Sequence, residues 1–151
     1  MKTIILATGT CRNNHMLALE ADYYTRIPKT LQPKVIELTD GPTAAHTESA
    51  QRKALSSLPT PTTIIMLDET GQSYTSRQLA DKLSSLSNQG AKTLAFLIGG
   101  ADGLSSAIKQ EANLVLSLGK LTLPHQLVRV VLAEQLYRAH TLQTGHPYHR
   151  D

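Results

Sequence analysis

The sequence predicts an α/β fold in which a mainly parallel sheet is flanked by helices. Five short runs of apolar and β-branched residues alternate with longer segments of helical spacing. Most of these runs are apolar at nearly every position, which is typical of strands buried on both faces and therefore of parallel pairing. A chain of 151 residues can bury one core without disulfides or metals, and we expect a single domain over residues 1–151.

Turn residues bound the predicted strands. The first strand runs to Gly9, and the third is closed by Asp68 and Glu69 before Gly71. The fourth runs directly into a glycine-rich turn that begins at Gly99. The five strands are predicted at residues 3–8, 34–38, 63–67, 93–98 and 114–118.

Helices are predicted between these strands. Pro28 ends the first helix. The second is polar, and its weak apolar face indicates mobility or contact with a partner. The third carries Leu79, Leu83 and Leu86 on one face. These four helices are predicted at residues 13–26, 43–58, 76–88 and 105–111.

The last helix is predicted to run from Pro124 to about Leu142. Thr122 is expected to cap its amino end, where Pro124 supplies a fixed φ in the first turn. Gly145 and Pro147 then end the helix. This is the longest uninterrupted helical pattern in the chain.

Apolar residues occupy almost every side of this helix, and only a narrow strip with Glu134 and Arg138 is expected to be exposed. A helix of this kind must be covered on both sides. We expect the second cover to be another copy of the chain, which predicts a homodimer. The apolar positions are Leu127, Val128, Val130, Val131, Leu132, Ala133, Leu136, Tyr137 and Ala139.

Charged and polar side chains on and after this helix are the candidate catalytic residues. Arg129 lies between two apolar faces, so it either snorkels to solvent or binds a phosphate or carboxylate at a subunit seam. Beyond the helix, His146, Tyr148, His149 and Arg150 fall within a few residues of one another. This combination suits an anionic or nucleotide substrate.

A metal site is the alternative interpretation of the same region. His146 and His149 are three residues apart, and His140 lies earlier on the helix. No cysteine lies nearby, and Asp151 is the only nearby carboxylate that could complete a site, so we expect no metal.

Composition narrows the class of protein. The only cysteine, Cys11, excludes a disulfide framework and fits a reducing compartment. No apolar run approaches the roughly 18 residues that span a bilayer, and the first residues do not resemble a signal peptide, so we expect a cytoplasmic protein without a membrane partner. A net charge of +3 permits an RNA or phosphate partner. Aromatic residues make up 4%, which disfavours a single-strand binder built on stacking.

Ligands of open α/β sheets bind beyond the carboxyl ends of the strands, here after Leu67, Ile98 and Leu118. Glycines follow at 99–100 and 119, but neither site has the spacing of a known nucleotide-phosphate motif. These loops would suit an adenosine derivative without phosphates. On the glycines alone, simple tight turns are the favoured interpretation.

Five segments in order and spacing resemble one family, the small SPOUT-class methyltransferases that modify N3 of a pseudouridine in large-subunit (23S) ribosomal RNA, the RlmH family. The resemblance covers the whole chain and is most specific from Leu118 to the end. The segments are TIILATG, IIMLDETG, FLIGGADGLS, LSLGKLTLPHQLVRVVLAEQLYRA and HPYHRD.

The resemblance implies a homodimer with a C-terminal trefoil knot, S-adenosylmethionine as cofactor and the ribosome as partner. In this sequence the tail residues Tyr148, His149 and Arg150 would lie at the target nucleotide. Residues 40–57 are less basic than expected of the family, which puts RNA contacts through that segment in doubt. The implied cofactor contacts are Leu67, Gly99, Leu118, Gly119, Lys120, Leu121, Thr122 and Leu123.

Three functions therefore compete. The first is a ribosomal RNA methyltransferase in which His149 removes the N3 proton, Arg150 stabilises the developing anion and Tyr148 orients either one. The second is a cofactor- or RNA-binding module of the same fold without turnover. The third is a metal-dependent hydrolase that would use His140, His146 and His149.

Overall fold

Strands and helices alternate along the whole chain in the computed structural model, which describes residues 1–150. None of the helices within those residues combines the length and apolar character needed to cross a bilayer. The strands are β1 (Lys2–Thr8), β2 (Lys34–Leu38), β3 (Thr62–Ser73), β4 (Thr93–Ile98) and β5 (Leu114–Ser117). The helices are α1 (Asn14–Thr25), α2 (Ala44–Ser56), α3 (Ser76–Asn88), α4 (Ser106–Lys109) and α5 (His125–Thr144).

The strands form one sheet in the order β2-β1-β4-β3-β5, and every neighbouring pair is parallel. The predicted α/β fold with a parallel sheet is therefore confirmed. β4 lies in the middle and is buried at all of its positions. Ile98 at its end is level with Ala7 of β1 and Leu67 of β3, so the loops that follow these three strands leave the sheet side by side.

The core divides into two layers because successive side chains of a strand point to opposite faces. Ile5 and Phe96 face the layer of α1, α3 and α5, which also contains Leu132. Leu6 and Leu97 face the opposite layer, with α2 and α4.

Strand β3 is longer than predicted. It continues past Leu67 to Ser73, but its register with β5 breaks, since both Leu67 and Gln72 lie opposite Leu116. The residues between them leave the ladder, and Gly71 passes so close to β5 that a Cβ would lie 2.6 Å from the carbonyl oxygen of Val115. Sequence patterning misses this irregular extension because its residues are polar.

The start of α5 also differs from the prediction. The helix begins at His125, with Pro124 as the N-cap residue and no side-chain capping bond. Thr122 instead donates from Oγ1 to Glu69 Oε2 at 2.6 Å, so the expected Thr122 cap is wrong. The other end follows the prediction, since Gly145 adopts a left-handed φ of 71° after the last turn.

The apolar surround of α5 is covered by its own chain. Helices α1 and α3 pack against α5. Leu132 and Leu136 are 0% and 9% exposed within this single chain. Leu127 and Val131, on another face of the helix, are half-buried in this chain. The apolar pattern of α5 therefore does not by itself require a second copy, and the homodimer stays a prediction. A charge at Leu132 or Leu136 would disrupt the core rather than separate two subunits.

Candidate functional site

A cleft of about 370 Å³ lies at the carboxyl ends of β3, β4 and β5. The predicted cofactor residue Lys120 is exposed and does not line this cleft. The seven other predicted cofactor residues do line it, and they are Leu67, Gly99, Leu118, Gly119, Leu121, Thr122 and Leu123. Residues distant in the chain thus converge on one cleft because three parallel strands end at the same edge.

The glycines in this cleft have different roles. A Cβ on Gly99 would lie 2.7 Å from the backbone of Gly103, so Gly99 is required by the turn itself. Gly119 has a φ of 145°, in the region that favours glycine, and a Cβ there would meet nothing within 4 Å. Gly99→Val would therefore displace the turn whatever binds in the cleft.

The irregular part of β3 forms one wall of the cleft. Asp68 accepts a bond from Lys109 Nζ at 3.0 Å and another from the Thr70 amide at 2.9 Å. Burial raises the pKa of Asp68, but the bonds from Thr70 and Lys109 outweigh burial and hold that pKa below its usual value. On the same wall, Glu69 accepts the Thr122 hydroxyl and so connects the wall to the loop after β5.

His125 is a site residue that the sequence analysis missed. It is the first residue of α5 and lines the cleft. Gly9 lies beside it, since a Cβ on Gly9 would be 3.5 Å from His125 Nε2 and 3.9 Å from Asp40 Oδ2. Gly100 closes the same corner, where a Cβ would be 2.4 Å from Asp40 Oδ2. A histidine directly after the proline that opens a helix was the available signal.

The predicted catalytic tail packs on its own helix. Tyr148 donates from its hydroxyl to Glu134 Oε1 at 3.1 Å, and its ring meets that of Tyr137 at 4.7 Å. Arg138 lies 4.8 Å from the Tyr148 ring centroid, and its Nη1 is 3.0 Å from His149 Nδ1. The strip of Glu134 and Arg138 that was expected to face solvent is therefore half-buried and holds the tail.

Tyr148 is kept protonated by these surroundings. Burial, together with hydrogen bonds to Tyr23 and Glu134, raises the pKa of Tyr148 to about 12. Arg150 is exposed, and Asp151 lies outside the described residues. In the tail, the Arg150 guanidinium is therefore exposed, whereas the side chains of Tyr148 and His149 contact α5.

One chain does not bring the tail and the cleft together. Tyr148 and His149 do not line the cleft. The helix reaches the cleft at His125, whereas the tail contacts Glu134 and Arg138. At 1.5 Å of rise per residue, those contacts lie about 14 to 20 Å farther along the axis.

Arg129 is buried within one chain. Its Nη2 lies 2.9 Å from Glu20 Oε2 and its Nη1 lies 2.6 Å from Glu37 Oε1. The guanidinium therefore binds carboxylates, one of the two expected partner types, but they belong to the same chain. Among the described residues, Glu20 Oε1 and the Tyr24 hydroxyl are buried without a hydrogen-bond partner.

Another groove and the histidines near the carboxyl terminus are also candidate sites. A larger groove of about 610 Å³ lies at the opposite edge of the sheet between α3 and α5. It contains none of the predicted catalytic or cofactor residues, although His140 of the hydrolase interpretation lines it. Within residues 1–150, no group of three or more histidine, cysteine, aspartate or glutamate side chains is arranged to hold a metal ion. His140, His146 and His149 therefore do not form the cluster that the hydrolase interpretation needs.

Comparison with known proteins decides the family. The model of a predicted SPOUT methyltransferase family matches residues 1–149. This chain belongs to that family. The predicted class, a methyltransferase that uses S-adenosylmethionine, is confirmed by this membership.

Relatives match over essentially the whole of both sequences. A protein of Laribacter hongkongensis named ribosomal RNA large subunit methyltransferase H is 39% identical over 157 aligned positions, which cover 100% of both chains. A protein of the same name from Streptococcus pneumoniae is 38% identical and covers 99% of this chain and 100% of its own.

A solved structure also matches, the SpoU methyltransferase AviRb from Streptomyces viridochromogenes in complex with AdoMet. It is 15% identical with a TM-score of 0.46, and the match covers 94% of this chain and 61% of AviRb.

Proposed function

We propose that this SPOUT methyltransferase transfers a methyl group from S-adenosylmethionine to N3 of a pseudouridine in large-subunit ribosomal RNA. The convergence of seven predicted cofactor residues on one cleft carries the proposal. Relatives that match the full length are named for the large ribosomal subunit. We further propose a single cytoplasmic domain with a C-terminal trefoil knot.

The chemistry of the cleft fits this cofactor. Leu67, Leu118 and Leu121 offer an apolar wall to an adenine ring. Open space beside Gly103 and Gly119 lets a ligand approach the backbone closely. No phosphate-binding motif is present, and S-adenosylmethionine has no phosphate to bind.

When bound, S-adenosylmethionine supplies an electrophilic methyl group on a sulfonium. The protein then has to align the acceptor nitrogen with that methyl, which is mainly a matter of positioning. The proton on N3 must also leave, and we assign its removal to His149. Arg150 stabilises the negative charge that develops on the base, and Tyr148 orients the two.

We propose a homodimer in which the tail of each chain reaches the cofactor cleft of its partner. This arrangement allows the tail residues to act at a cleft although they lie far from their own. The tail of a given chain is held at Glu134 and Arg138, well away from its own cleft at His125. Two copies related by a two-fold axis along the α1 and α5 side would bring each tail toward the other cleft. Arg129 then acts as a positioning residue, because its ion pairs with Glu20 and Glu37 fix α5 against α1 on the side that faces the partner.

We propose the assembled ribosome, rather than free RNA, as the substrate. The net charge is only +3. Arg52, in the weakly basic segment, is paired with Glu48 and Glu111 and so is not free to bind phosphate. A small domain with so low a net charge recognises a large particle by its shape more readily than a hairpin by its charge.

Labelled S-adenosylmethionine incubated with the protein and with ribosomes, isolated large subunits or naked 23S RNA tests the proposal. We expect label at one pseudouridine, with the fastest transfer on an assembled particle. Equal turnover on a naked hairpin would contradict the ribosome assignment. Cofactor binding without transfer to any of the three would favour the alternative, a binding module without turnover.

A further inference from the structure

The arginines of the chain fall into two groups, those whose side chains already bind another residue and those whose side chains do not. Arg26, Arg52, Arg129 and Arg138 all form ion pairs with carboxylates. Arg77 also has a partner. Among the arginines of residues 1–150, only Arg12 and Arg150 form neither an ion pair nor a side-chain hydrogen bond. Arg150 already has a proposed role, whereas Arg12 has none.

Arg12 stands on a loop that is held on both sides. The Cys11 amide donates to Glu37 Oε1 at 3.1 Å, and the Cys11 thiol lies 3.4 Å from Gln126 Oε1. On the other side, the Asn13 side chain caps α1 by accepting from two backbone amides of its first turn. The backbone of Arg12 is therefore fixed while its side chain is exposed.

The buried Arg129 is what holds this loop. Arg129 binds Glu37 at 2.6 Å, and it holds the pKa of Glu37 below its usual value, with a smaller contribution from the Cys11 amide. Glu37 thus stays ionised and keeps its bond to Cys11. Glu20 fixes Arg129 from the buried side at 2.9 Å. This network is a rigid support for the residue next to Cys11.

The loop lies beside the cofactor cleft. Gly9 precedes Arg12 by three residues, so their Cα atoms are within about 11 Å. Gly9 in turn packs against His125, which lines the cleft. An RNA strand that brings its base to the cleft must pass its backbone over this edge of the sheet.

The other free cations lie mostly elsewhere. Lys34 and Lys92 are at or just before the starts of β2 and β4, on the opposite edge of the sheet. Lys120 shares the carboxyl edge with Arg12, in the loop after β5. The two cations flank the cleft on the β1 and β5 sides.

We propose that Arg12 binds a backbone phosphate of the RNA substrate next to the target nucleotide, and that the Glu20–Arg129–Glu37 network holds it ready to do so. A guanidinium suits this role because its planar donors match a phosphate, and a fixed loop reduces the entropy lost on binding. The inference rests on the proposed function, since it takes RNA as the substrate.

Arg12→Ala is compared with Arg12→Lys, Lys34→Ala and the wild type. Lys34→Ala is the matched control because it removes the same charge from the opposite edge. Ribosome binding, the salt dependence of that binding, methyl transfer and S-adenosylmethionine affinity are measured separately for each. All four proteins should have the same thermal stability, because both side chains are exposed and unpaired in residues 1–150.

Arg12→Ala should weaken ribosome binding and raise KM about tenfold, with cofactor affinity unchanged. The slope of log affinity against log salt should fall by about 0.7 to 1, the value for one phosphate contact. Arg12→Lys should recover part of the loss, and Lys34→Ala should resemble the wild type.

Equal losses in Arg12→Ala and Lys34→Ala would overturn the inference, because net charge alone would then explain them. A loss of cofactor affinity in Arg12→Ala would also overturn it, because the guanidinium would then bind the cofactor carboxylate. Failure of the wild type to bind ribosomes would overturn the inference as well. If the wild type binds ribosomes without methylating them, the proposed reaction fails, while the binding of Arg12→Ala still decides the role of Arg12.

Discussion

The two ends of α5 serve different purposes. At the amino end, His125 lies beside Gly9 and lines the cleft. No side chain caps the helix there, and Leu121 just before it is 78% exposed. In the carboxyl half, Glu134 and Arg138 are occupied by the tail residues Tyr148 and His149. The first end is open to a ligand, and the second already has its partners.

This difference shows why one chain cannot complete the proposed site. A helix is a rigid spacer, and it separates the two ends by about 14 Å or more. Its middle is fixed in the core, where Leu132 is fully buried. Movement of the tail to its own cleft would require breaking the contacts that hold it, whereas a second copy would need no such change.

The largest expected effect is at the tail. His149→Ala should lower methyl transfer by about 100-fold or more, because it removes the proposed proton acceptor. Cofactor affinity should be nearly unchanged, since the residue lies outside the cleft. Arg150→Ala should lose a comparable amount, and the double variant little more, as expected of residues that act together.

Mixing two damaged chains tests whether the two ends of α5 cooperate between subunits. A His149→Ala chain is combined with a Leu121→Glu chain, whose carboxylate disrupts the apolar cleft wall. If the tail acts on the partner's cleft, each heterodimer regains one complete site and activity returns. No recovery, with heterodimers verified by mass spectrometry, would mean that the tail serves its own chain.

The next effect concerns the middle of the helix. Leu132→Ala should lower the free energy of unfolding by about 2 to 5 kcal/mol, because it leaves a cavity in the core. Denaturant unfolding measures this loss. The exposed Leu121→Ala is the control and should change stability by about 0.5 kcal/mol or less. Equal effects of the two variants would contradict the assignment of α5 as a buried spacer.

A smaller effect is expected at the open end. Leu121→Ala should weaken S-adenosylmethionine binding about fivefold in calorimetry, because it removes apolar area from the cleft wall. Leu31→Ala is a matched control, since Leu31 is also exposed but lies in the groove at the other edge of the sheet. Unchanged affinity in the Leu121 variant would move the cofactor out of this cleft.

The smallest effect is a pH dependence at the occupied end. The folded pKa of Tyr148 is about 12, above the ordinary value of 10.0, so folding favours its protonated form. The stabilisation is complete below pH about 10 and is lost as the pH rises toward 12. Ultraviolet difference spectra should show a tyrosine that titrates near pH 12 and is missing in Tyr148→Phe. If Tyr148 titrated near its ordinary pKa of 10.0, the packing of Tyr148 on α5 would be contradicted.

Much of the fold follows from local patterns. The strand and helix order was predictable because runs of apolar residues and turn residues at their ends reflect interactions close in the chain. The convergence of the loops after Leu67, Ile98 and Leu118 followed from parallel pairing alone. The specific residues of that site came from the family resemblance, since glycines by themselves favoured simple turns.

The tertiary structure decided the features that depend on long-range contacts. Threonine often caps helices, yet the Thr122 hydroxyl donates to Glu69 of a strand distant in the sequence. Arg129 was expected either to reach solvent or to lie at a subunit seam, but Glu20 and Glu37 bind it within one chain. A helical pattern records how apolar a face is without recording which neighbour covers it, so only the packing of α1 and α3 could show that α5 is covered from within.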